Sequence, residues 1–316
     1  MLHTPFAASA GQPVLHDRLG ALVEALVAAG VRGVVGLGLA SEASTLTERE
    51  RDEVCATVAE RLDGRTPFTV GIDGQTAVAA DRAGRAVALG ATGLMVIPPA
   101  AATEPAQVVE HFAAVADAGG VPVLVQDAPQ VTGVQLPVEL LTRLAGHPLV
   151  GAVKVEGLGA GPKISALAGA GLSVMAGWGG LHYPESLDRG AAGCMPGSDL
   201  AEALLDLHRH AELGRHHDAD AVYRAILPLL AYETQSLALL VLGAKRALTR
   251  AGLFPDGAMR APAPSLDARQ EQAFDALFDR LERDGVPGPW RSPRQAAPGD
   301  EGGQAGRIGT GASQPA

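Results

Sequence analysis

The chain has 316 residues, 47% of them hydrophobic and 19% charged, which is enough for one domain with a large buried core. Its formal net charge of −10 argues against nucleic acid or an anionic membrane as a partner. No apolar run reaches the roughly 18 residues that a membrane span needs, and the amino terminus lacks the basic and apolar parts of a secretory signal. Two cysteines, Cys55 and Cys194, are too few for a disulfide framework or a zinc site, so a reduced cytoplasmic protein is expected.

Short apolar runs alternate with helical periods along the first two thirds of the chain. Buried strands are predicted at residues 31–37, 68–72, 93–97, 121–126, 149–155 and 172–176. Helices are predicted between them at residues 16–29, 47–62, 76–89, 104–118 and 137–145. The second of these helices begins with Thr47 and has Glu50 three residues later, which is the pattern of a capping box.

This alternation predicts an α/β fold with a parallel sheet. Residues 2–6 as the first strand and 193–196 as the last give eight strands, so we expect a (β/α)8 TIM barrel over residues 1–198. An open doubly wound sheet is the second interpretation, although no GxGxxG or GxxxxGK[ST] loop opens any helix. Helices at 200–213, 218–232, 237–251 and 267–283 make residues 199–284 the last barrel helix and a small C-terminal helical segment. Residues 285–316, rich in glycine, proline and alanine, are predicted to be a disordered tail.

Lysine is scarce in this sequence. Of 25 basic residues only Lys154, Lys163 and Lys245 are lysines, and the rest are arginines. Arginine keeps the charge and most structural roles of lysine, but a guanidinium cannot lose its proton and act as a nucleophile. A retained lysine is therefore a candidate for amine chemistry.

Lys154 lies near the end of a predicted strand, in the segment GAVKVEG. Catalytic groups of such barrels lie at the carboxyl ends of the strands, and strand residues two apart face the same way. Lys154 and Glu156 should therefore both point into the barrel mouth, where a neutral amine could attack a ketone and Glu156 could hold the amine or move protons. A salt bridge at a strand end is the structural alternative.

Two more segments carry polar groups to the same end of the barrel. After the preceding strand, Gln126 is expected to face inward and Asp127 outward, followed by the turn that contains Thr132. The glycine-bearing turn at residues 36–45 includes Ala40, Ser41 and Glu42, and its backbone N–H groups could bind a carboxylate. Loop capping and ordinary turn formation explain these segments equally well.

The histidines do not indicate a metal site. None of them stands in HExxH or facial-triad spacing, and most are expected on solvated helix faces. The histidines considered are His111, His182, His208, His210, His216 and His217.

Taken together, the segments resemble the dihydrodipicolinate synthase/N-acetylneuraminate lyase family of class I aldolases, from Thr4 to about Arg283. The shared motifs, in chain order, are Thr4-Pro5-Phe6, the turn Gly38 to Glu42, Leu46 to Glu50, Pro98-Pro99, Pro129 with Thr132-Gly133, the Lys154 strand, Gly177, and Gly190 to Gly193. The resemblance implies that Lys154 forms a Schiff base with a 2-oxo acid. It also implies a homo-oligomer, dimer or tetramer, with neither a metal nor an organic cofactor.

The sequence also departs from the family pattern. The usual GTTGE turn is Gly38-Leu39-Ala40-Ser41-Glu42 here, which lacks both threonine hydroxyls, so Ser41 or Ser44 would have to replace them. Gln126 occupies the place of the proton-transferring tyrosine, and an amide cannot act as an acid or base. Val131 occupies the place of the arginine that binds the aldehyde substrate's carboxylate in the synthase. These changes argue against the lysine-biosynthetic reaction.

The Lys-x-Glu pattern on this strand is similar to the pattern in dehydratases of 2-keto-3-deoxy sugar acids. We therefore predict a Schiff-base lyase, an aldolase or a dehydratase, that acts on a small hydroxylated 2-oxo acid, with Lys154, Glu156 and Gln126 as the catalytic residues. Substrate contacts are predicted from Ala40, Ser41, Glu42, Asp127, Thr132 and Gly177. The alternatives are a non-catalytic keto-acid-binding or sugar-acid-binding barrel, a condensation enzyme with an altered proton relay, and a phosphate-handling barrel isomerase. Because only three residues precede Thr4, one interpretation is that the true initiation codon lies upstream of Met1.

Overall fold

The computed structural model describes residues 1–100, 102, 104–157 and 159–290. The strands are β1 Val34–Gly36, β2 Phe68–Ile72, β3 Gly93–Val96, β4 Val123–Asp127, β5 Val150–Val155, β6 Ser173–Ala176 and β7 Gly193–Cys194. The helices are α1 His16–Ala29, α2 Glu48–Leu62, α3 Thr76–Ala88, α4 Pro105–Gly119, α5 Pro129–Thr132, α6 Val138–Leu144, α7 Ala160–Leu167, α8 Tyr183–Asp188, α9 Ala201–Glu212, α10 His216–Glu233, α11 Leu237–Arg250 and α12 Ala268–Arg283. All nine helices and all seven later strands predicted from the sequence are present in the described residues, with ends shifted by at most three residues.

The seven strands are parallel and hydrogen-bonded in chain order from β1 to β7. Helices cover the outside of the sheet, so the strands are buried on both faces and their apolar runs are nearly continuous. The helical connections place consecutive parallel strands side by side, which accounts for the strand order. The register aligns Gln126 with Lys154 and Lys154 with Met175, so neighbouring strands deliver their last residues to one edge.

Residues 1–6 fill the barrel position where the sequence predicts the first strand, and here the structure differs from the prediction. Residues 2–6 do not form a strand: the amide of Leu2 donates to the carbonyl of Val35 (2.8 Å), and Phe6 makes an isolated antiparallel bridge with Val14. The α-amino group of Met1 donates to the carbonyl of Pro196 beyond β7 (2.6 Å). The segment thus links the two edges of the curled sheet and completes the TIM-barrel arrangement.

The helices that follow the barrel build a second apolar core against α8 and α9. Phe274 and Phe278 of α12 are fully buried there, stacked with ring centroids 5.9 Å apart. Residues 285–290 belong to this core rather than to a disordered tail, because Trp290 is fully buried and its indole N–H donates to the carbonyl of Val286 (3.0 Å). The rest of the predicted tail, 291–316, lies outside the described residues. Within the described part of the chain, no helix is long and apolar enough to cross a bilayer.

Candidate active site

Lys154, Glu156 and Gln126 form a hydrogen-bonded cluster at the carboxyl ends of β4 and β5. The Lys154 Nζ atom lies 2.9 Å from Glu156 Oε1, and Gln126 Nε2 donates to the same oxygen at 2.6 Å. The side chains of Lys154 and Glu156 are 3% and 8% exposed, so an amine and a carboxylate share a nearly dry pocket. The predicted alternation along β5 and the inward direction of Gln126 are confirmed.

Gly177, just after β6, makes room for this cluster. A Cβ atom at this position would lie 2.4 Å from Glu156 Cγ and 2.9 Å from Lys154 Cε, closer than real Cβ contacts come. The next residue donates its backbone amide: Trp178 N lies 3.4 Å from Glu156 Oε2. Gly177 thus allows close approach, and the backbone after it helps to orient the carboxylate.

The Lys154 pocket, as we call the cavity around this cluster, is lined mainly by apolar side chains from distant parts of the chain. Its wall comprises Met1, Leu39, Ala40, Gln126, Val131, Lys154, Glu156, Trp178, Gly179, Met195, Pro196, Gly197, Thr234, Ser236, Leu237 and Leu240. Met1 reaches the cluster itself, since Lys154 Nζ lies 3.2 Å from its Sδ atom. Burial and the neighbouring Lys154 lower the pKa of the Met1 α-amino group to about 5.

Of the glycine-bearing turn, only part faces the pocket. Leu39 and Ala40 line it, whereas the Ser41 hydroxyl donates to the Leu2 carbonyl (2.5 Å) and is 1% exposed. Glu42, in the left-handed conformation (φ 56°), turns away and pairs with the fully buried Lys245 of α11. The structure therefore places Ala40 in the wall of the Lys154 pocket and gives Ser41 and Glu42 structural partners.

Asp127 and Thr132 also have structural partners in the described residues. Lys163 of α7 reaches Asp127 Oδ2 at 2.6 Å, outside the barrel mouth, as its expected outward direction requires. Burial raises the pKa of the Asp127 carboxyl, and the hydrogen bond from Lys163 opposes this effect. The Thr132 hydroxyl donates to the Ala128 carbonyl (3.1 Å) and accepts from the Val134 amide (3.2 Å), which closes the α5 turn.

Sequence reasoning missed the contribution of the post-barrel helices. Thr234 and Ser236, at the α10–α11 junction, and Leu237 and Leu240 of α11 line the Lys154 pocket. Nothing in their local pattern indicates this, because the contact depends on how α11 packs over the barrel mouth. Helical periodicity predicts that α11 exists but not what it covers.

No group of three or more His, Cys, Asp or Glu side chains that could hold a metal occurs among the described residues. The cluster at the ends of β4 and β5 consists of an amine, a carboxylate and an amide. Such a set fits covalent catalysis through an imine with one general acid–base group.

Comparison with known proteins gives consistent matches over nearly the whole described chain. The sequence model of the dihydrodipicolinate synthetase family matches residues 1–281. An L-2-keto-3-deoxyarabonate dehydratase from Azospirillum brasilense is 34% identical over 270 residues, covering 82% of this chain and 86% of that protein. The 4-hydroxy-tetrahydrodipicolinate synthase 1 of Streptomyces coelicolor is 31% identical over 296 residues, covering 89% and 92%.

Among solved structures, the dihydrodipicolinate synthase from Rhodopseudomonas palustris superposes with a TM-score of 0.83 at 26% identity, covering 89% of this chain and 95% of that one. The likeness thus extends from the sequence to the fold that carries Lys154 at the end of its strand. The chain belongs to the dihydrodipicolinate synthetase family, whose members are Schiff-base lyases acting on keto acids.

Proposed function

We propose that this protein dehydrates a 2-keto-3-deoxy sugar acid through a Schiff base on Lys154. The observation that carries the proposal is the pair of Lys154 Nζ and Glu156 Oε1, 2.9 Å apart in a nearly dry pocket. Glu156 is the acid–base group closest to the amine, and Gln126 holds it with an amide that cannot itself exchange a proton. The similarity to a dehydratase of L-2-keto-3-deoxyarabonate supports this choice.

The reaction follows from these groups. The neutral amine of Lys154 attacks C2 of the keto acid, and loss of one water gives the imine. The imine acidifies C3, from which Glu156 takes a proton to leave an enamine. The enamine expels the C4 hydroxyl, which Glu156 protonates as it leaves, so that a second water departs. Hydrolysis of the imine consumes one water and frees Lys154, so the net reaction removes one water from the substrate.

Gln126 has a positioning role in this sequence. Its Nε2 atom donates a hydrogen bond of 2.6 Å to Oε1 of Glu156, the oxygen that also faces Lys154. Trp178 N reaches the other oxygen at 3.4 Å, so both carboxylate oxygens have a fixed direction. A carboxylate held in this way has little rotamer freedom left to lose during the reaction.

Condensation is a second candidate, because the S. coelicolor 4-hydroxy-tetrahydrodipicolinate synthase matches over 89% of this chain. It shares the imine on Lys154 but needs a second substrate with a carboxylate-binding group. In this chain the corresponding position is Val131, which offers no charge. Aldol cleavage is the third outcome and is distinguished by its products, an aldehyde and pyruvate.

The test is reductive trapping followed by product analysis. The protein is incubated with pyruvate or with a 2-keto-3-deoxy sugar acid, reduced with borohydride, and weighed intact. We expect a covalent adduct in the wild type and in Lys163→Arg, which retains a cation for Asp127, but none in Lys154→Ala. The absence of an adduct with every 2-oxo acid tried would leave the non-catalytic binder as the better description.

Turnover then separates the reactions. Loss of one water from the sugar acid without release of pyruvate supports the dehydratase, whereas pyruvate release identifies an aldolase. Consumption of pyruvate only when an aldehyde acid is added identifies a condensation enzyme.

We further propose a cytoplasmic homo-oligomer, a dimer or a tetramer. The support is family membership. Sedimentation velocity on the full chain over a range of concentrations measures the assembly state.

A further inference from the structure

Two carboxyl groups meet in the interior behind the wall of the Lys154 pocket. Asp199 lies after β7, Glu233 is the last residue of α10, and each is 1% exposed. Their side chains are hydrogen-bonded to each other. An ionised carboxylate only accepts hydrogen bonds, so this contact requires that one of the two groups keeps its proton. The pair therefore consists of a carboxylic acid and a carboxylate that share one proton.

The packing around the pair is built for two carboxyl groups. With both groups ionised, Asp199 Oδ2 and Glu233 Oε1 would be buried oxygens without a donor from the residues that the structure describes. Glycines leave the space that the side chains occupy: a Cβ atom at Gly197 would collide with Asp199 Oδ1, and one at Gly243 of α11 would lie 2.5 Å from Glu233 Oε1. Both carboxyl groups are thus accommodated at close quarters, and a proton between them satisfies the contact.

The surroundings place the shared proton on Glu233. The backbone N–H groups of residues 199 and 200, at the start of α9, hydrogen-bond the carboxyl of Asp199 and favour its charged form, although burial raises its pKa to about 6. Burial and the neighbouring Asp199 raise the pKa of Glu233 well above its usual value. Glu233 is therefore the donor and Asp199 the acceptor.

Other titratable groups around the pair are the α-amino group of Met1, His3 and Lys245. Burial lowers the pKa of the Met1 amine to about 5 and that of His3 well below its usual value, so both are neutral above about pH 6. Lys245 forms an ion pair with Glu42, and burial lowers its pKa. A change of pH above 6 thus acts on the carboxyl pair and on Lys245, and a variant of Glu233 distinguishes the two.

The pair joins two parts of the pocket wall that come from distant parts of the chain. Gly197, which lines the Lys154 pocket, lies two residues before Asp199. Thr234, which lines it from the other side, directly follows Glu233 and precedes the wall residues of α11. The hydrogen bond between the carboxyl groups therefore fixes the end of α10 against the segment that follows β7.

We propose that Asp199 and Glu233 are positioning residues of the Lys154 pocket: their shared proton holds the α10–α11 junction against the barrel mouth, and its loss weakens binding of the 2-oxo acid. The physical reason is that two carboxylates at hydrogen-bond distance repel each other in a buried site that cannot hydrate them. Their separation moves Thr234 and the start of α11 away from the segment after β7. This inference rests on the imine chemistry proposed for Lys154.

The test is reductive trapping of pyruvate with cyanoborohydride, read by intact mass. The pyruvate concentration at which half of the protein carries the adduct is measured from about pH 6, the raised pKa of Asp199, to about pH 9. Lys154 and Glu156 respond to pH themselves, so the informative quantity is the ratio of the wild-type concentration to that of Glu233→Gln. The amide of this variant donates to Asp199 at every pH.

The ratio should be near one at the acidic end and rise to at least ~5 at the alkaline end, the low end of coupling between two sites. Glu233→Met, which fills the same space without a donor, should need more pyruvate than Glu233→Gln at every pH. Glu110→Gln, at an exposed residue of α4, is the matched control and should follow the wild type. Trapping at saturating pyruvate should remain complete in all four proteins, because the reacting groups are unchanged.

A purely structural role predicts a different result. The melting temperature of the wild type would then fall relative to that of Glu233→Gln as pH rises, while the ratio of pyruvate concentrations stays at one. That result, or a pH dependence that persists unchanged in Glu233→Gln and so belongs to Lys245 or another group, would overturn the positioning role. If Glu233→Met does not fold, the comparison of the wild type with Glu233→Gln decides alone. Absence of an adduct in every protein at every pH contradicts the Schiff-base function itself and is thereby distinguished.

Discussion

The buried pair of Lys245 and Glu42 offers the sharpest test of the packing that supports the pocket. The lysine is fully buried in α11, and its Nζ atom contacts Glu42 and donates to the carbonyl of Ala258 (2.9 Å). The other oxygen of Glu42 accepts from the backbone amide of Arg260 (2.9 Å). Glu42 follows directly on residues 39–41, so this pair joins a wall of the Lys154 pocket to the post-barrel helices.

The expected cost of Lys245→Met follows from burial. The change removes the cation but leaves a carboxylate that is 4% exposed and has lost its partner. Breaking a buried pair on one side costs about 3–5 kcal/mol, a large part of the 5–15 kcal/mol that stabilises a typical domain. The double variant Lys245→Met/Glu42→Gln leaves no buried charge, and the remaining amide oxygen can still accept from Arg260. We therefore expect the double variant to be more stable than Lys245→Met alone.

Urea unfolding of the wild type, both single variants and the double variant measures the coupling between the two residues as a double-mutant cycle. The matched control is Arg32→Met, which breaks a pair with Glu212 (2.8 Å) whose side chains are 66% and 45% exposed. Exposed pairs contribute about 0–1 kcal/mol, so this control should change stability little. The reasoning is refuted if Lys245→Met costs no more than Arg32→Met, or if the two single effects simply add.

Three further outcomes are expected. Glu156→Gln should lower kcat by about 10²–10⁴-fold while borohydride trapping of the imine persists, and a change below 10-fold would assign proton transfer elsewhere. Gly177→Ala should lower kcat/KM by about 100-fold, because the new Cβ collides with the cluster, whereas Gly151→Ala on β5, whose Cβ would meet nothing within 4 Å, should not. Asp199 and Glu233 are hydrogen-bonded and buried; burial raises the pKa of Asp199 from 3.8 to about 6 and that of Glu233 well above its usual value. A carboxyl whose pKa is raised in the folded state favours folding most below its unfolded pKa, and it loses that contribution as pH rises through the folded value. Between pH 4 and 8 the free energy of unfolding of Asp199→Asn/Glu233→Gln, measured in urea, should therefore rise by on the order of 3 kcal/mol relative to that of the wild type. Parallel pH profiles of the two proteins would contradict this.

The sequence correctly predicted those side-chain directions that follow from the two-residue repeat of a β-strand. Lys154 and Glu156 face the same way because strand side chains alternate, and the structure brings them to 2.9 Å. The inward direction of Gln126 followed from the same rule on the preceding strand, and parallel neighbours then placed it beside Lys154. The contacts at the α10–α11 junction and the burial of Trp290 could not be predicted, because they depend on tertiary packing of helices far apart in sequence.

The first barrel position shows the same division between local pattern and long-range packing. Residues 2–6 have a strand-like composition, yet pairing requires a register with neighbours on both sides. The structure gives this segment one backbone hydrogen bond to β1, from the amide of Leu2 to the carbonyl of Val35, and one from the α-amino group of Met1 to the carbonyl of Pro196 beyond β7. A strand propensity is thus realised only where the neighbouring edges supply a ladder of partners.

The scarcity of lysine was the first feature of the sequence to suggest amine chemistry, and the structure shows why it could not by itself single out Lys154, the proposed catalytic residue. Each retained lysine lies beside a carboxylate: Lys154 beside Glu156, Lys163 beside Asp127, and Lys245 beside Glu42. Lys163 and Lys245 pair with acids of the scaffold, which gives each of them a structural role. Lys154 lines the Lys154 pocket, and its partner carboxylate, Glu156, is oriented by the amide of Gln126 and a backbone N–H. Its place in the wall of a cavity, rather than its ion pair, therefore singles out Lys154 as the proposed catalytic lysine, and that place is formed only when the strands and α11 are assembled.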